Sequence, residues 1–343
     1  MRIHSVTAVK DEGPFLLEWL AWHRMLGVTG FTVVSNDCHD GTDRMLDALA
    51  AAGVLVHLRN PCAPGESLQW QALKAAWDHP TRKAADWMLI SDVDEFPMIH
   101  VGNHRLPDLI AALPPGTDAV ALAWRLFGAN GVARFEDRPV TAQFLHAAPP
   151  DMFHPVAASY FKTLFRPAAF RRSGVHRPKQ REGAAPAWVD GSGRPLPGVM
   201  AGNDKRLSLM PLKGHRALAE MHHYSLRSAE SFVVKSARGL PNHSDKAVDL
   251  SYWTGRNFNT QPAPSALAQQ DPLATEIAAL MALPGVADLH RAACDWHRAE
   301  AARLIATPAG FRLYADCLYA AGSAALPEAE ALRLLHLYQR TQG

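Results

Sequence analysis

The chain has 343 residues, 48% of them apolar and 20% charged, with a formal net charge of +2 when histidine is neutral. That length suits one large domain, or one and a half, with a sizeable core. The balanced charge excludes the broad basic footprint of a nucleic-acid-binding protein, and the scattered Cys38, Cys62, Cys294 and Cys317 exclude a Cys-x-x-Cys zinc cluster or a disulfide framework.

In chain order, the first hundred residues alternate between strand and helix signals. Ile3 to Val9 reads as a strand. Pro14 suits a helical first turn, Phe15, Trp19, Trp22 and Leu26 recur at helical spacing, and Gly27 ends the run. Phe31 to Ser35 is a second strand, and Asp40 or Thr42 caps a helix through Met45, Leu46 and Leu49 to Gly53. Val54 to Leu58 is a third strand, followed by a helix from Ser67 to Trp77. Trp87 to Ser91 is the fourth strand, and Phe96-Pro97 is expected to stop regular structure after it. Strands alternating with helices indicate right-handed βαβ units and a parallel sheet.

Beyond residue 100 the order loosens. Asp118 to Trp124 and Lys162 to Arg166 read as strands, and Phe127-Gly128-Ala129-Asn130-Gly131 as a tight loop near a ligand. Residues 174–213 read as an irregular insertion rich in Gly, Pro and Arg. Leu218 to Tyr224 is a strand ending in His222-His223-Tyr224, and Ser228 caps a helix to Arg238 with Gly239 after it. From about Leu267 the sequence turns rich in Ala and Leu, with helices at 273–283, 286–306 and 327–341. The division read from this is a domain over 1–262, comprising a regular half (1–100) and a looser half (101–262), and a helical region over 263–343.

Polar clusters follow each of the first four strands: Lys10-Asp11-Glu12, Asn36-Asp37, Arg59-Asn60, and Asp92 with Asp94. Ligands of open α/β sheets bind beyond the carboxyl ends of the strands, so these clusters converge on one rim. In extended backbone Asp92 and Asp94 face one side and Val93 the other. Paired carboxylates at a strand end suit Mg2+ or Mn2+, hard ions that share oxygen ligands with phosphates.

Taken together, these pieces resemble the family-2 glycosyltransferases of the GT-A fold, in a bacterial branch with a Lys-Asn/Asp-Glu opening and an Asp-Val-Asp-Glu-Phe centre. The residues that carry the resemblance are Lys10-Asp11-Glu12-Gly13, Asn36-Asp37 with Asp40-Gly41-Thr42, Asp92 to Phe96, Phe127-Gly128 with Gly131, and His223-Tyr224 followed by Ser228, Phe232, Lys235, Arg238 and Gly239. It covers roughly residues 1–260.

The resemblance implies an α/β GT-A fold, Rossmann-like with a mainly parallel central sheet flanked by helices, here with a C-terminal helical appendage. It implies a nucleotide-diphosphosugar donor, with residues 1–100 as the nucleotide-binding half and 101–262 as the acceptor half, and Mn2+ or Mg2+ as cofactor. Lys10, Asp11, Glu12, Asn36, Asp37 and Gln71 (or Gln69) would contact the nucleotide. Asp92 would contact the ribose or the metal, Asp94 the metal, and His223 a further coordination position, while Lys235 and Arg238 would face the diphosphate. The reaction would be attack of an acceptor hydroxyl on the anomeric carbon with inversion. For the general base His176 is the first candidate, with Asp137 and Glu136 as alternatives. The acceptor, whether carbohydrate, lipid-linked or protein, stays open.

Two departures from the family pattern stand out: Ser35-Asn36-Asp37-Cys38 replaces Asp-Asn-x-Ser, and Thr260 stands where an acid is expected after Asn259. A chain with this rim that bound nucleotide-sugar without turnover is the rival reading. A haloacid-dehalogenase-type phosphatase fits less well, because its Asp-x-Asp lies near the N-terminus rather than behind three βα units. No signal-peptide-like apolar stretch opens the sequence and no apolar run nears the ~20 residues of a membrane span. The expected location is therefore cytoplasmic, compatible with peripheral contact at the inner face of a membrane.

Overall fold

The computed structural model describes residues 1–60, 67–198, 212–239 and 248–341. Part of the irregular insertion (199–211) and Cys62 lie outside the described residues. The strands are β1 (Ile3–Val9), β2 (Gly30–Ser35), β3 (Val56–Arg59), β4 (Trp87–Ile90), β5 (Glu95–Ile99), β6 (Ala119–Leu126), β7 (His146–Ala147), β8 (Phe161–Phe165), β9 (Trp188–Asp190), β10 (Ala219–His223) and β11 (Gln261–Pro262). Among the described residues the helices of seven or more residues are α1 (Gly13–Met25), α2 (Thr42–Ala51), α3 (Leu68–Asp78), α4 (Leu106–Ala112), α5 (Ala229–Arg238), α6 (Gln270–Met281), α7 (Val286–Ile305), α8 (Pro308–Tyr319) and α9 (Glu328–Thr341).

Among the described residues the main sheet has the order β3-β2-β1-β4-β8-β6-β10-β5, with β9 also pairing with β6. β3, β2, β1 and β4 are parallel, as are the β6–β9 and β6–β10 pairs. β8 runs antiparallel between β4 and β6. The α/β architecture with a mainly parallel sheet and C-terminal helices is thus the one expected from sequence.

The first helix shows how the sequence sets its own geometry. Pro14 lies in its first turn, and Gly27, at φ +91°, turns the chain out of its end. Trp19, Leu20 and Trp22 are buried beneath the sheet's flank. A Cβ on Gly13 would stand 2.6 Å from Cβ of Ala293, so only glycine lets α7 approach the start of α1. Asp40 fixes the next crossover: its carboxylate accepts from the Gly13 N–H at 2.8 Å and from the Thr42 N–H at 2.8 Å.

One expectation needs correction, and two features were not read from the sequence. Phe96-Pro97 does not end regular structure: Pro97 lies within β5, the last strand of the sheet, where its missing N–H is tolerated because one side has no partner strand among the described residues. Helix α8 was not foreseen; its N-cap is Thr307, whose hydroxyl accepts from the Gly310 N–H. The Gly128–Gly131 loop is held by protein groups. Asn257 Oδ1 accepts from the Ala129 N–H, and Asn259 Oδ1 from the Asn130 N–H. Gly128 is obligatory there, since its Cβ would fall 2.1 Å from Asn259 Oδ1.

Candidate functional site

The carboxyl ends of β1 and β4, the start of the antiparallel β8, the end of β10 and helix α5 meet at one rim. Its centre is the turn after β4. Residues 92–95 form a turn closed by the Glu95 N–H on the Asp92 carbonyl at 3.0 Å, in place of the extended backbone expected, and Val93 is buried in the core. The two aspartates engage different partners. Asp92 accepts from Lys162 Nζ at 3.0 Å and from Gln69 Nε2 at 3.3 Å. Asp94 accepts from Lys235 Nζ at 2.8 Å and lies 3.5 Å from His223 Nε2. Asp92, Asp94 and His223 are not among the sets of three ligand atoms that close to within 4.8 Å of one another.

The charges here are set by burial against pairing. Burial alone would raise the Asp94 carboxyl, but Lys235 and His223 outweigh it and hold Asp94 well below the usual carboxylate range. Burial lowers His223, which keeps that imidazole neutral near pH 7. Glu95 is fully buried; burial, with Asp92 and Asp94 nearby, raises its carboxyl well above the usual range. Lys162 is fully buried, 3.3 Å from Glu95 as well as bonded to Asp92, and these two acids outweigh burial and keep it charged.

Helix α5 closes the other side. Ser228 caps it by accepting from the Ser231 N–H, as the sequence suggested. Arg238 Nη1 donates to the carbonyls of Lys10 and Asp11, at 2.6 and 3.0 Å. Glu12 is clamped between Arg238 and Arg227, the latter at 2.8 Å. Burial would raise Glu12, but these guanidiniums hold it below its ordinary value. Its carboxylate is therefore committed to binding α5 to β1 rather than turned to a nucleotide. Asp11, at φ +50°, accepts from the His39 N–H at 2.5 Å. Asn36 is buried, with Nδ2 donating to the Val9 carbonyl and Oδ1 accepting from Asn60 Nδ2. Asp37 is exposed at the tip of β2. Of the two glutamines, Gln69 is the one bonded to Asp92; Gln71 is half-buried.

His176 comes to the same centre. Its ring packs between Trp124 and Tyr160, with centroids 5.3 and 5.2 Å away, and Trp124 also packs on His223 at 4.0 Å. Nδ1 lies 3.1 Å from the Phe161 carbonyl, a contact that needs the proton on Nδ1 and leaves Nε2 as an acceptor. Burial pushes its pKa down to about 3, so it is neutral near pH 7. Asp137 and Glu136 are not brought there: Asp137 pairs with His290 at 2.9 Å and Glu136 accepts from Gln143 at 3.3 Å. His222 points to the opposite face, 3.0 Å from Glu220.

Sequence reading missed Lys162, Arg227 and Trp124. Lys162 left a signal, as a lone charge in the otherwise apolar-flanked strand Phe161–Phe165. A lysine so placed is buried only when paired.

Comparison with known proteins bears on this rim. A glycosyltransferase family 92 protein of Oryza sativa subsp. japonica is 24% identical over 155 residues, 42% of this chain and 25% of the relative. Another, of Ricinus communis, is 29% identical over 110 residues, 31% of this chain and 18% of the relative. The chain thus matches a quarter or less of the length of these curated relatives. Among solved structures, residues 1–349 of S. aureus TarS in complex with UDP align with 49% of this chain and 48% of TarS, at 14% identity and a TM-score of 0.31. The model of glycosyltransferase family 92 matches residues 9–190, a span that begins at the end of β1, includes β2, β3, β4, β8 and the Asp92–Asp94 turn, and covers more than half of the chain. The expectation of a glycosyltransferase family therefore holds, with family 92 rather than family 2 as the match: the chain belongs to glycosyltransferase family 92.

Proposed function

We propose that this chain is a metal-dependent glycosyltransferase that moves a sugar from a nucleotide-diphosphosugar to an acceptor hydroxyl with inversion. The observation that carries the reading is the turn after β4, where Asp94 stands between the neutral imidazole of His223 and the ammonium of Lys235. Membership of a glycosyltransferase family supports it. The Lys-Asp-Glu opening and Asp-Val-Asp-Glu-Phe centre belong to the same proposal.

The residues fit a divalent ion as a half-site. Asp94 and His223 supply one carboxylate and one imidazole, and His223 Nδ1 is buried without a hydrogen-bond partner. Mg2+ and Mn2+ are commonly held by one or two carboxylates plus substrate phosphates, so a diphosphate would complete the set. Asp92, about a third exposed at its side chain, has room to turn from Lys162 toward it. Such an ion, when bound, would take up charge on the leaving nucleoside diphosphate.

The chain's own groups then divide the work. Lys235, released from Asp94, and Arg238, on the same face of α5, would face the diphosphate. Asp11, Asp37 and Gln69 would border the nucleoside, with Lys10 beside them and Asn36 shaping the pocket wall. His176 Nε2 would accept the proton of the attacking hydroxyl. Its depressed pKa makes it a weak base at rest. Binding of an anionic donor near Lys162 would raise that basicity.

The test is a thermal-shift titration of nucleoside diphosphates with and without Mn2+, since a ligand that binds only the folded state raises the melting temperature. One nucleoside diphosphate should stabilise the protein more with Mn2+, and Asp94→Asn should remove that increment. An unchanged increment in Asp94→Asn would sink the metal reading. Stabilisation without any donor hydrolysis would favour a binding module that lacks turnover.

A further inference from the structure

Asp137, His290 and Cys294 form a cluster separate from the rim. His290 and Cys294 lie four residues apart on α7, so they share one face of the helix. Both are buried, at 4% and 1% exposure, while Asp137 reaches in from the segment after the Gly128–Gly131 loop with its carboxylate partly open to solvent. His290 Nε2 lies 2.9 Å from Asp137 Oδ1 and 3.6 Å from Cys294 Sγ. The three ligand atoms all fall within 4.8 Å of one another.

From this geometry we propose that Asp137, His290 and Cys294 form a transition-metal site, with Zn2+ the ion it fits best. One thiolate, one imidazole and one carboxylate are the donor types of zinc, whereas Mg2+ and Mn2+ take oxygen. Zinc bonds of about 2.0 Å to nitrogen and about 2.3 Å to sulfur separate the two donors by about 3.6 Å in a tetrahedron. The observed nitrogen–sulfur distance matches that value. The nitrogen–oxygen distance is a few tenths of an ångström short, and the partly exposed Asp137 side chain can open it. Thiolate and carboxylate neutralise the dication, and solvent reaches the fourth position past Asp137.

The surroundings accommodate the change. The Asp137 carboxylate can only accept, so it holds the ring proton on Nε2, while His290 Nδ1 has no hydrogen-bond partner among the described residues and can take that proton when an ion binds. The ring can carry its proton on Nδ1 and present a bare Nε2 without breaking a second bond. The nearby cation Arg298 is paired with Asp295 at 2.9 Å, which leaves little uncompensated charge to repel an ion. Binding releases the thiol proton to solvent and leaves the imidazole neutral. A metal here would pin the segment carrying Phe135 and Asp137 to α7, joining the sheet domain to the C-terminal helices.

The test is titration of the reduced, full-length wild-type protein with Co2+, followed by displacement with Zn2+. We expect a thiolate-to-cobalt charge-transfer absorption that a single equivalent of Zn2+ removes. Cys294→Ser should abolish the absorption and weaken Zn2+ binding by at least about 100-fold, more than loss of an outer partner of a ligand. Asp137→Asn, at a partly exposed side chain, should weaken Zn2+ binding while circular dichroism shows the fold intact. Cys38→Ser and Asp94→Asn should leave the absorption unchanged. A wild-type protein without the absorption would overturn the proposal. So would an absorption that follows Cys38 instead, or unaltered Zn2+ affinity in folded Asp137→Asn.

Discussion

Lys235 donates to Asp94 at 2.8 Å across 141 residues of sequence, joining helix α5 to the turn after β4. The ammonium stands where a divalent cation would contribute its charge. On the proposed reading, cation and lysine would compete for one carboxylate.

Lys235→Met removes the competitor. Mn2+ binding without nucleotide should tighten, by about tenfold if the pair is worth about 1.4 kcal/mol against the ion. Diphosphate affinity should fall, because the same ammonium no longer meets the phosphates. Parallel titrations of Mn2+ and of a nucleoside diphosphate separate the two effects. If both affinities fall together, the competition does not exist.

Lys162 is the second cation of the rim, and its burial is complete. Lys162→Met leaves Asp92 without its countercharge beside the buried Glu95. Breaking a buried pair from one side costs about 3–5 kcal/mol. Glu95→Gln should cost much less, since Glu95 is already pushed toward its neutral form and the amide oxygen can still accept from the Asp92 N–H. Urea unfolding of the two variants gives the order, and Glu95→Gln as the more damaging change would refute this account of the charges.

Much of this rim was legible in the sequence, for a local reason. Asp11, Asp92, His223 and Lys235 each follow or sit on an element whose pattern is written in neighbouring residues. The end of a parallel strand then fixes the side of the sheet to which they point. What could not be read was pairing across distance. Glu12 looks like a ligand contact when seen beside Lys10 and Asp11, but its partners Arg227 and Arg238 lie more than 200 residues away. Lys162 becomes a site residue only because β8 inserts antiparallel between β4 and β6. Likewise Asp137, read as a candidate base from its loop, meets His290 and Cys294 through a tail whose sequence shows no Cys-x-x-Cys. Strand β5 was lost because a proline was read without its place at the end of the sheet.

Glu12→Gln tests the clamp between β1 and α5. The amide can accept one guanidinium bond but offers no charge to Arg227 and Arg238, both largely buried. A loss of about 3 kcal/mol is expected, at the lower end of the range for a broken buried pair because a hydrogen bond survives. Hydrogen exchange should rise in α5 and in residues 10–13 together. Exchange that rises in only one of them would mean that Glu12 does not couple the two elements.

Stability should also decline in mild acid. Burial lowers His4, His23 and His215 to about 4 and His176 and His297 to about 3, against 6.5 for the free side chain. The unfolded chain then binds protons that the folded chain refuses. The stabilisation from each is complete above pH 6.5 and falls as pH drops toward its folded pKa, by about 1.4 kcal/mol per pH unit for each histidine. Glu18, Asp40 and Glu95 act in the opposite sense, because burial raises them and their folded forms hold protons longer. These three are outnumbered, so the net slope between pH 6.5 and 5 is positive, with stability lost on acidification. Guanidinium unfolding at pH 7.5, 6.5 and 5 measures it. His23→Gln should flatten the slope by about one proton, because the His23 ring bridges the Trp19 carbonyl at 2.8 Å and Ser91 Oγ at 3.2 Å in a site with no exposure to water. Equal stability at pH 7.5 and pH 5 would mean that these rings ionise within the folded protein.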